Sequence, residues 1–212
     1  TMRMEGHTAL VHTAAASNLG QMLNKICMAD GVELVNVVRK QEQVDILQAL
    51  GAKYIVNSSS ETYKQDLYAA IAATGATIAF DATGGGELAS DILSMMEAFL
   101  SKDARGLNTY GSEQMKQVYL YGGLDVSPTI LNRSYGMCWG VAGWLLPHFI
   151  ARVGLERAGQ LQQRVASEIK TTFASEFTQE LSLAESIEPK NVALYMAKQT
   201  GEKYLMNPNK DL

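Results

Sequence analysis

Apolar and polar residues follow two alternating rhythms along this chain. Short apolar runs at positions 8–12, 33–38, 53–57, 77–81, 116–121 and 135–141 read as strands, the first of them rich in β-favouring residues. Between them apolar side chains recur at three- and four-residue spacing, the signature of helices with one buried face. Leu19, Met22, Leu23, Ile26 and Cys27 mark a helix over 19–30. Val44, Ile46, Leu47 and Leu50 mark one over 41–50, and Tyr63, Leu67, Ala70 and Ile71 one over 61–74. Leu88, Ile92, Leu93, Met96 and Phe99 mark the next, over 87–100, where the Met95-Met96 pair reads as core filling. Gly31, Gly51 and Gly75 stand where the first three helices should stop. Residues 101–115 and 125–132 read as loops, and 143–153 and 155–172 as helices. Strands that alternate with helices, without a convincing hairpin, predict an α/β fold built on a doubly wound parallel sheet.

The first strand leads into Thr13-Ala14-Ala15-Ala16-Ser17-Asn18-Leu19-Gly20, a turn of small residues before a helix. Such a strand–turn–helix unit lets the backbone approach a pyrophosphate, which the helix N-terminus then holds. Laid on the G-x-G-x-x-G pattern, the key positions are Ala15, Ser17 and Gly20, so only the last glycine remains; its expected role is close packing of helix on strand. Tight packing alone would also favour such a turn. The nucleotide reading rests on repetition, because Ala82-Thr83-Gly84-Gly85-Gly86 follows the fourth strand and Gly122-Gly123 the fifth. Candidate cofactor contacts are therefore Ala15, Ala16, Ser17, Asn18, Leu19 and Gly20, with Asn57 closing the third strand, and Thr83, Gly84, Tyr121, Gly122 and Gly123 further on. The second strand ends in Arg39-Lys40, where an NAD site carries a carboxylate for the ribose hydroxyls. A guanidinium there can grip a 2′-phosphate through paired charge-assisted bonds, which predicts NADP(H) over NAD(H). A solvated Arg-Lys pair at a helix start is the plainer alternative, and Glu42 is near.

Composition narrows the remaining classes. The chain has 212 residues, 47% of them hydrophobic, enough for a full core, and its net charge of −4 gives no basic footprint for nucleic acid. No apolar run approaches the length of a membrane span. Cys27 and Cys138 are far apart and read as buried thiols in a reducing compartment, so the expectation is a cytoplasmic protein. Gly106 and Gly111 have P-loop spacing, but Ser112-Glu113 follows where Lys-Ser/Thr is required, and no Tyr-x-x-x-Lys pattern starts at Tyr110 or Tyr195. Arg39 also weighs against methyltransferases that place an acid at that strand end. His12 reads as a hydrogen-bonded core histidine, and His148, after Pro147, as structural. Thr1 is not an initiator methionine, so the chain is expected to be a piece of something longer.

The order of these features resembles the cofactor domain of medium-chain dehydrogenase/reductases, in the zinc-independent quinone oxidoreductase and enoyl reductase branch. The resemblance is carried by Ala9 through Gly20, by Val38-Arg39, by Leu47-Gln48-Ala49-Leu50-Gly51-Ala52, by Phe80-Asp81-Ala82-Thr83-Gly84-Gly85, by Tyr121-Gly122-Gly123, and by Gly201 through Pro208, which is similar to the family's closing strand. It implies a Rossmann fold over residues 1–172 and a segment, 173–212, that would pack on a catalytic domain preceding this sequence. Leu181, Leu183, Val192 and Leu194 would then be exposed in isolation, and the open alternatives are that the tail folds against itself, pairs with another copy or is poorly ordered. It further implies hydride transfer from NADPH to an activated double bond or quinone, a small-molecule substrate for the full-length parent, Trp139 near the nicotinamide, and homodimerisation through the apolar 139–144 edge. It supplies no catalytic residue, because the acid-donating tyrosine of the enoyl reductases lies outside this stretch. The Gly-His-Glu zinc motif and the four-cysteine cluster are absent, and no metal ligand is assigned. Two other readings stay open: an inactive nucleotide-sensing or interaction module, and a zinc-type alcohol dehydrogenase with ligands upstream.

Overall fold

The computed structural model describes residues 1–104, 109–197, 200 and 203–210. Gly106 of the P-loop-like spacing, and Lys198, Gln199, Gly201 and Glu202 of the expected last helix and closing strand, lie outside them. A short 3₁₀ turn, Met2–Glu5, precedes β1 (Leu10–Thr13), α1 (Asn18–Ala29), β2 (Leu34–Val38), α2 (Gln41–Ala49), β3 (Tyr54–Asn57) and α3 (Tyr63–Thr74). The chain continues through β4 (Ile78–Asp81), β5 (Gly84–Gly86), α4 (Leu88–Leu100), β6 (Lys116–Leu120), β7 (Asp125–Thr129), β8 (Trp139–Gly143) and α5 (Leu146–Ser167). The tail holds β9 (Gln179–Leu181), α6 (Leu183–Ser186), α7 (Pro189–Met196) and β10 (Tyr204–Met206).

Six strands form one sheet in the order β3-β2-β1-β4-β6-β8, every neighbouring pair parallel. Alternating side chains go to opposite faces, and both faces are covered, as a parallel sheet requires. Val11, Val35, Val37, Ala79 and Val118 meet Leu67 and Ile71 of α3 and Ile92, Leu93 and Met96 of α4. On the other face Leu10, Leu34 and Ile78 pack with Cys27 and Leu23 of α1, while Val38 packs with Leu47 of α2. The sheet order reverses between β1 and β4, and ligands of open α/β sheets bind at the carboxyl ends of such strands.

Several expectations are revised. Residues 125–129 are strand rather than loop, because the Gly84–Gly86 run can lie against them. A Cβ on Gly85 would come within 2.6 Å of the Ser127 carbonyl oxygen, so only a glycine backbone fits this side ribbon. The sixth sheet strand starts at Trp139, later than position 135. The two helices expected around Gly154 run from Leu146 to Ser167 and are broken at Gly154, whose φ of 79° is left-handed. In the tail, β9 and β10 pair in parallel. Leu181 is fully buried there, where the tail folds against itself, while Leu183 and Leu194 are exposed and Val192 is half-buried.

Candidate functional site

The turn after β1 is held by local bonds. The Ser17 N–H donates to the Ala14 carbonyl at 2.9 Å, which closes the turn with Ala14 at a left-handed φ of 49°. Ser17 itself is extended and unstrained; its hydroxyl caps α1 by accepting the Gly20 N–H at 3.2 Å. The first N–H groups of a helix have no partner inside it, and those of Asn18 and Leu19 have no acceptor among the described residues. Gly20 is indispensable on steric grounds: a Cβ would fall 2.1 Å from the Ala15 carbonyl oxygen. Ala15 and Ala16 are buried against Val38 and Leu47, so they set the turn's depth and offer a ligand no side chain.

The turn after β4 is organised by a residue that sequence reasoning passed over. Asp81 is fully buried, and its carboxylate accepts the Thr13 hydroxyl at 2.6 Å, the Thr83 N–H at 2.8 Å and the Gly84 N–H at 3.1 Å. The Thr13 hydroxyl in turn accepts the Ala82 N–H at 2.9 Å. This clasp ties the carboxyl ends of β1 and β4 together at the switch point. The N–H groups of the candidates Thr83 and Gly84 are thus engaged by Asp81, and Gly84 belongs to β5, where a Cβ would lie 2.8 Å from the Gly122 carbonyl oxygen. An Asp at a strand end before small residues is the available signal, since Asp commonly bonds the backbone two residues on.

Between these turns lies a cleft of about 310 Å³, lined by Ala14, Ser17, Leu19, Ala82, Tyr121, Gly122, Gly123 and Leu124. The structure thus brings Ser17, Leu19, Tyr121, Gly122 and Gly123 together. Gly122 must be glycine, because a Cβ would sit 2.6 Å from the Ala82 carbonyl oxygen. Behind the cleft the ring of His12 is stacked on that of Tyr121 at 5.8 Å, with Nε2 2.6 Å from the phenol oxygen. Burial pushes His12 down to about 4. Burial, with the Asp81 charge adding to it, pushes Tyr121 up to about 12.

Arg39 and Lys40 are exposed at the end of β2. The Gln43 carboxamide oxygen accepts both of their backbone N–H groups, at 3.0 and 3.2 Å, and its nitrogen donates to the Thr200 hydroxyl at 2.8 Å. Among the described residues the Arg39 guanidinium makes no ion pair or hydrogen bond. Asn57 pairs with Val38 at the strand ends, but its carboxamide oxygen accepts the N–H of Ser59 in its own loop. Asn18 accepts the Ser175 hydroxyl at 3.0 Å. Trp139 does not reach this rim. It opens β8 opposite Lys116, at the amino end of the sheet, and packs edge-on against Tyr135. A second cleft, of about 290 Å³ and lined in part by Cys27, Met28, Gly31 and Gly51, also lies toward the amino ends.

No protein-family model matches the chain, and no curated protein matches it. Solved structures do. A Mesorhizobium loti protein described as an NADPH:quinone reductase aligns with 98% of this chain and 55% of its own, at 24% identity and a TM-score of 0.76. A mutant enoyl thioester reductase from Candida tropicalis aligns with 94% of this chain and 53% of its own, at 17% identity and a TM-score of 0.64. The Etr1p complex with NADP and crotonyl-CoA aligns over 94% and 53%, at 18% identity and a TM-score of 0.61. The chain spans about half the length of these solved chains. Its six-stranded sheet is a Rossmann-type domain with the fold of reductases of the medium-chain dehydrogenase/reductase type.

Proposed function

We propose that the cleft at the carboxyl ends of β1, β4 and β6 binds NADPH, and that the parent protein is an oxidoreductase reducing an activated double bond or a quinone. The observation that carries this reading is the Arg39 guanidinium, without a partner among the described residues, standing one strand from a helix N-terminus with open N–H donors. The N–H groups of Asn18 and Leu19 would hold the pyrophosphate, and Arg39 the 2′-phosphate. The apolar lining beside Tyr121 would receive the nicotinamide, on the side of the turn away from Arg39. When bound, the reduced nicotinamide supplies a hydride. The chain's own residues would position the cofactor: Gly123, where an added Cβ meets nothing within 4 Å, leaves room for its approach, and Leu19 and Leu124 would exclude water. The aligned reductases, one of them solved with NADP, support this reading.

Residues 173–212 are proposed to pack against a catalytic domain outside this sequence, through the exposed Leu183, Ile187, Leu194 and Met196. The open edge of β8 is proposed to pair with a second copy. Titration of NADPH and NADH into the wild type and Arg39→Glu tests the cofactor assignment. The wild type should prefer NADPH, and the variant should lose roughly tenfold or more of that preference, the scale of one charge-assisted contact; an unchanged ratio ends the assignment. A second reading, a nucleotide-sensing module without turnover, is favoured by the closed turn at Asp81. NADPH binding by the complete protein without oxidation by crotonyl-CoA or quinones would establish it.

A further inference from the structure

His12 is 1% exposed, and its Nδ1 has no hydrogen-bond partner among the described residues, whereas Nε2 lies 2.6 Å from the Tyr121 oxygen. A neutral imidazole carries its proton on one nitrogen only. Were it on Nδ1, a buried N–H would point at no acceptor, the rarest kind of orphan in folded proteins. With the proton on Nε2, the orphan is a lone pair and the Nε2–H donates to the phenol oxygen. The Tyr121 hydroxyl proton is then directed elsewhere, and no second partner takes it among the described residues. Both groups hold their protonation across the physiological range, His12 neutral with a value near 4 and Tyr121 protonated with a value near 12.

We infer that Tyr121 is a fixed hydroxyl donor at the cleft, oriented by His12, and that the ligand group it takes is a carbonyl oxygen. Apart from Ser17 at the phosphate turn, the other side chains lining the cleft are apolar or absent. A single donor in such a wall suits a flat, mostly apolar ring bearing one acceptor. The phenol lies past the end of β6, three strand spacings from β2 in the order β2-β1-β4-β6, so about 14 Å separate the Arg39 and Tyr121 positions across the sheet. The Asp81 carboxyl group stands near Tyr121 and adds to the upward push on its phenol, which disfavours a phosphate there far more than a neutral carbonyl. Two ligands carry such an oxygen: the carboxamide of the nicotinamide and the carbonyl of an electron acceptor. The donor assignment stands on the protein alone, and only the identity of the carbonyl rests on the nucleotide reading.

Long-range proton–nitrogen NMR on the histidine-labelled chain reads the tautomer directly. The Nε2–H form of His12 is expected, and the Nδ1–H form overturns the proposal whether or not a nucleotide binds. Calorimetric titration then compares the wild type with Tyr121→Phe, which keeps the ring and removes the donor. If the carboxamide is the ligand group, NADPH binds the variant roughly three- to tenfold more weakly, while 2′-phospho-ADP-ribose, which lacks the nicotinamide, binds both proteins equally. If the acceptor carbonyl is the ligand group, NADPH affinity is unchanged and crotonyl-CoA affinity in the presence of NADP⁺ falls by the same factor. Equal binding of all three ligands to both proteins refutes the donor role. Failure of the wild type to bind NADPH, with the Nε2–H tautomer present, counts against the nucleotide reading and leaves the donor in place.

Discussion

Gly20 and Asp81 show what one position reveals by itself and what needs a neighbour. Gly20 was legible because the third glycine of the turn pattern has a fixed duty, and the helix does approach the Ala15 carbonyl too closely for any side chain. Asp81 carried a local signal in its place before a small-residue turn, but its bond to Thr13 was not legible, because Thr13 lies 68 residues earlier and meets it only when β1 and β4 pair. His12 was read as a bonded core histidine, and so it is, but its unpartnered nitrogen depends on what surrounds it in three dimensions. That burial makes acid stability depend on this residue. The unfolded chain binds a proton at the ordinary value of 6.5 and the folded chain only near 4, so stability falls as pH drops through that window. The loss should approach about 3 kcal/mol for a shift of this size. Urea unfolding of the wild type at pH 7 and pH 4.5 should show most of it. His12→Gln should flatten that interval; an equally steep loss in the variant would place the acid sensitivity elsewhere.

The elements of the sheet follow from the apolar periodicity, since each sheet strand lies in its own short apolar run. What periodicity could not give is pairing between weak segments. The glycines of β5 have no side-chain signal, and β7 carries exposed Val126 and Pro128, so neither looks like a strand until they lie side by side. The tail is similar: β9 and β10 have three residues each, and a short two-stranded ribbon is marginal without support. Part of that support is Gln43. One carboxamide joins the Arg39–Lys40 turn to Thr200, so the tail and the start of α2 share a bond. Removing it in Gln43→Ala should speed tryptic cleavage within the tail severalfold while residues 1–167 stay resistant, and Thr200→Val should do the same with a normal α2 cap. Unchanged cleavage in both variants would show that the bond does not anchor the tail.

For the whole molecule, the doubly wound parallel sheet was readable from sequence, and its carboxyl rim was the expected ligand side, but the order β3-β2-β1-β4-β6-β8 and the place of the last strand were not. The turns after β1 and β6 do face a common cleft, whereas Trp139 lies at the opposite end of β8 because that strand begins later than its apolar run. The edge itself is open. The Trp144 N–H bonds the Leu120 carbonyl at 2.9 Å, and alternation along a parallel ladder turns the Gly143 and Val141 N–H groups outward. Exposed Leu145 and Leu146 follow directly. Pairing of two such edges predicts a dimer by sedimentation for the wild type and a monomer for Gly143→Pro. That substitution removes one outward donor at a site where an added Cβ meets nothing within 4 Å. A monomeric wild type would rule out this edge as the contact.

The Thr13–Asp81 clasp has a consequence for how cofactor choice can change. On the proposed nucleotide reading, the clasp's bonds hold the wall of the cleft in place before anything arrives, so little ordering entropy would be lost there on association, and Arg39 would be a separately adjustable outrigger on a solvated corner. Descendants of such a scaffold could exchange one dinucleotide for the other by drift at that corner alone, with the buried architecture inherited intact.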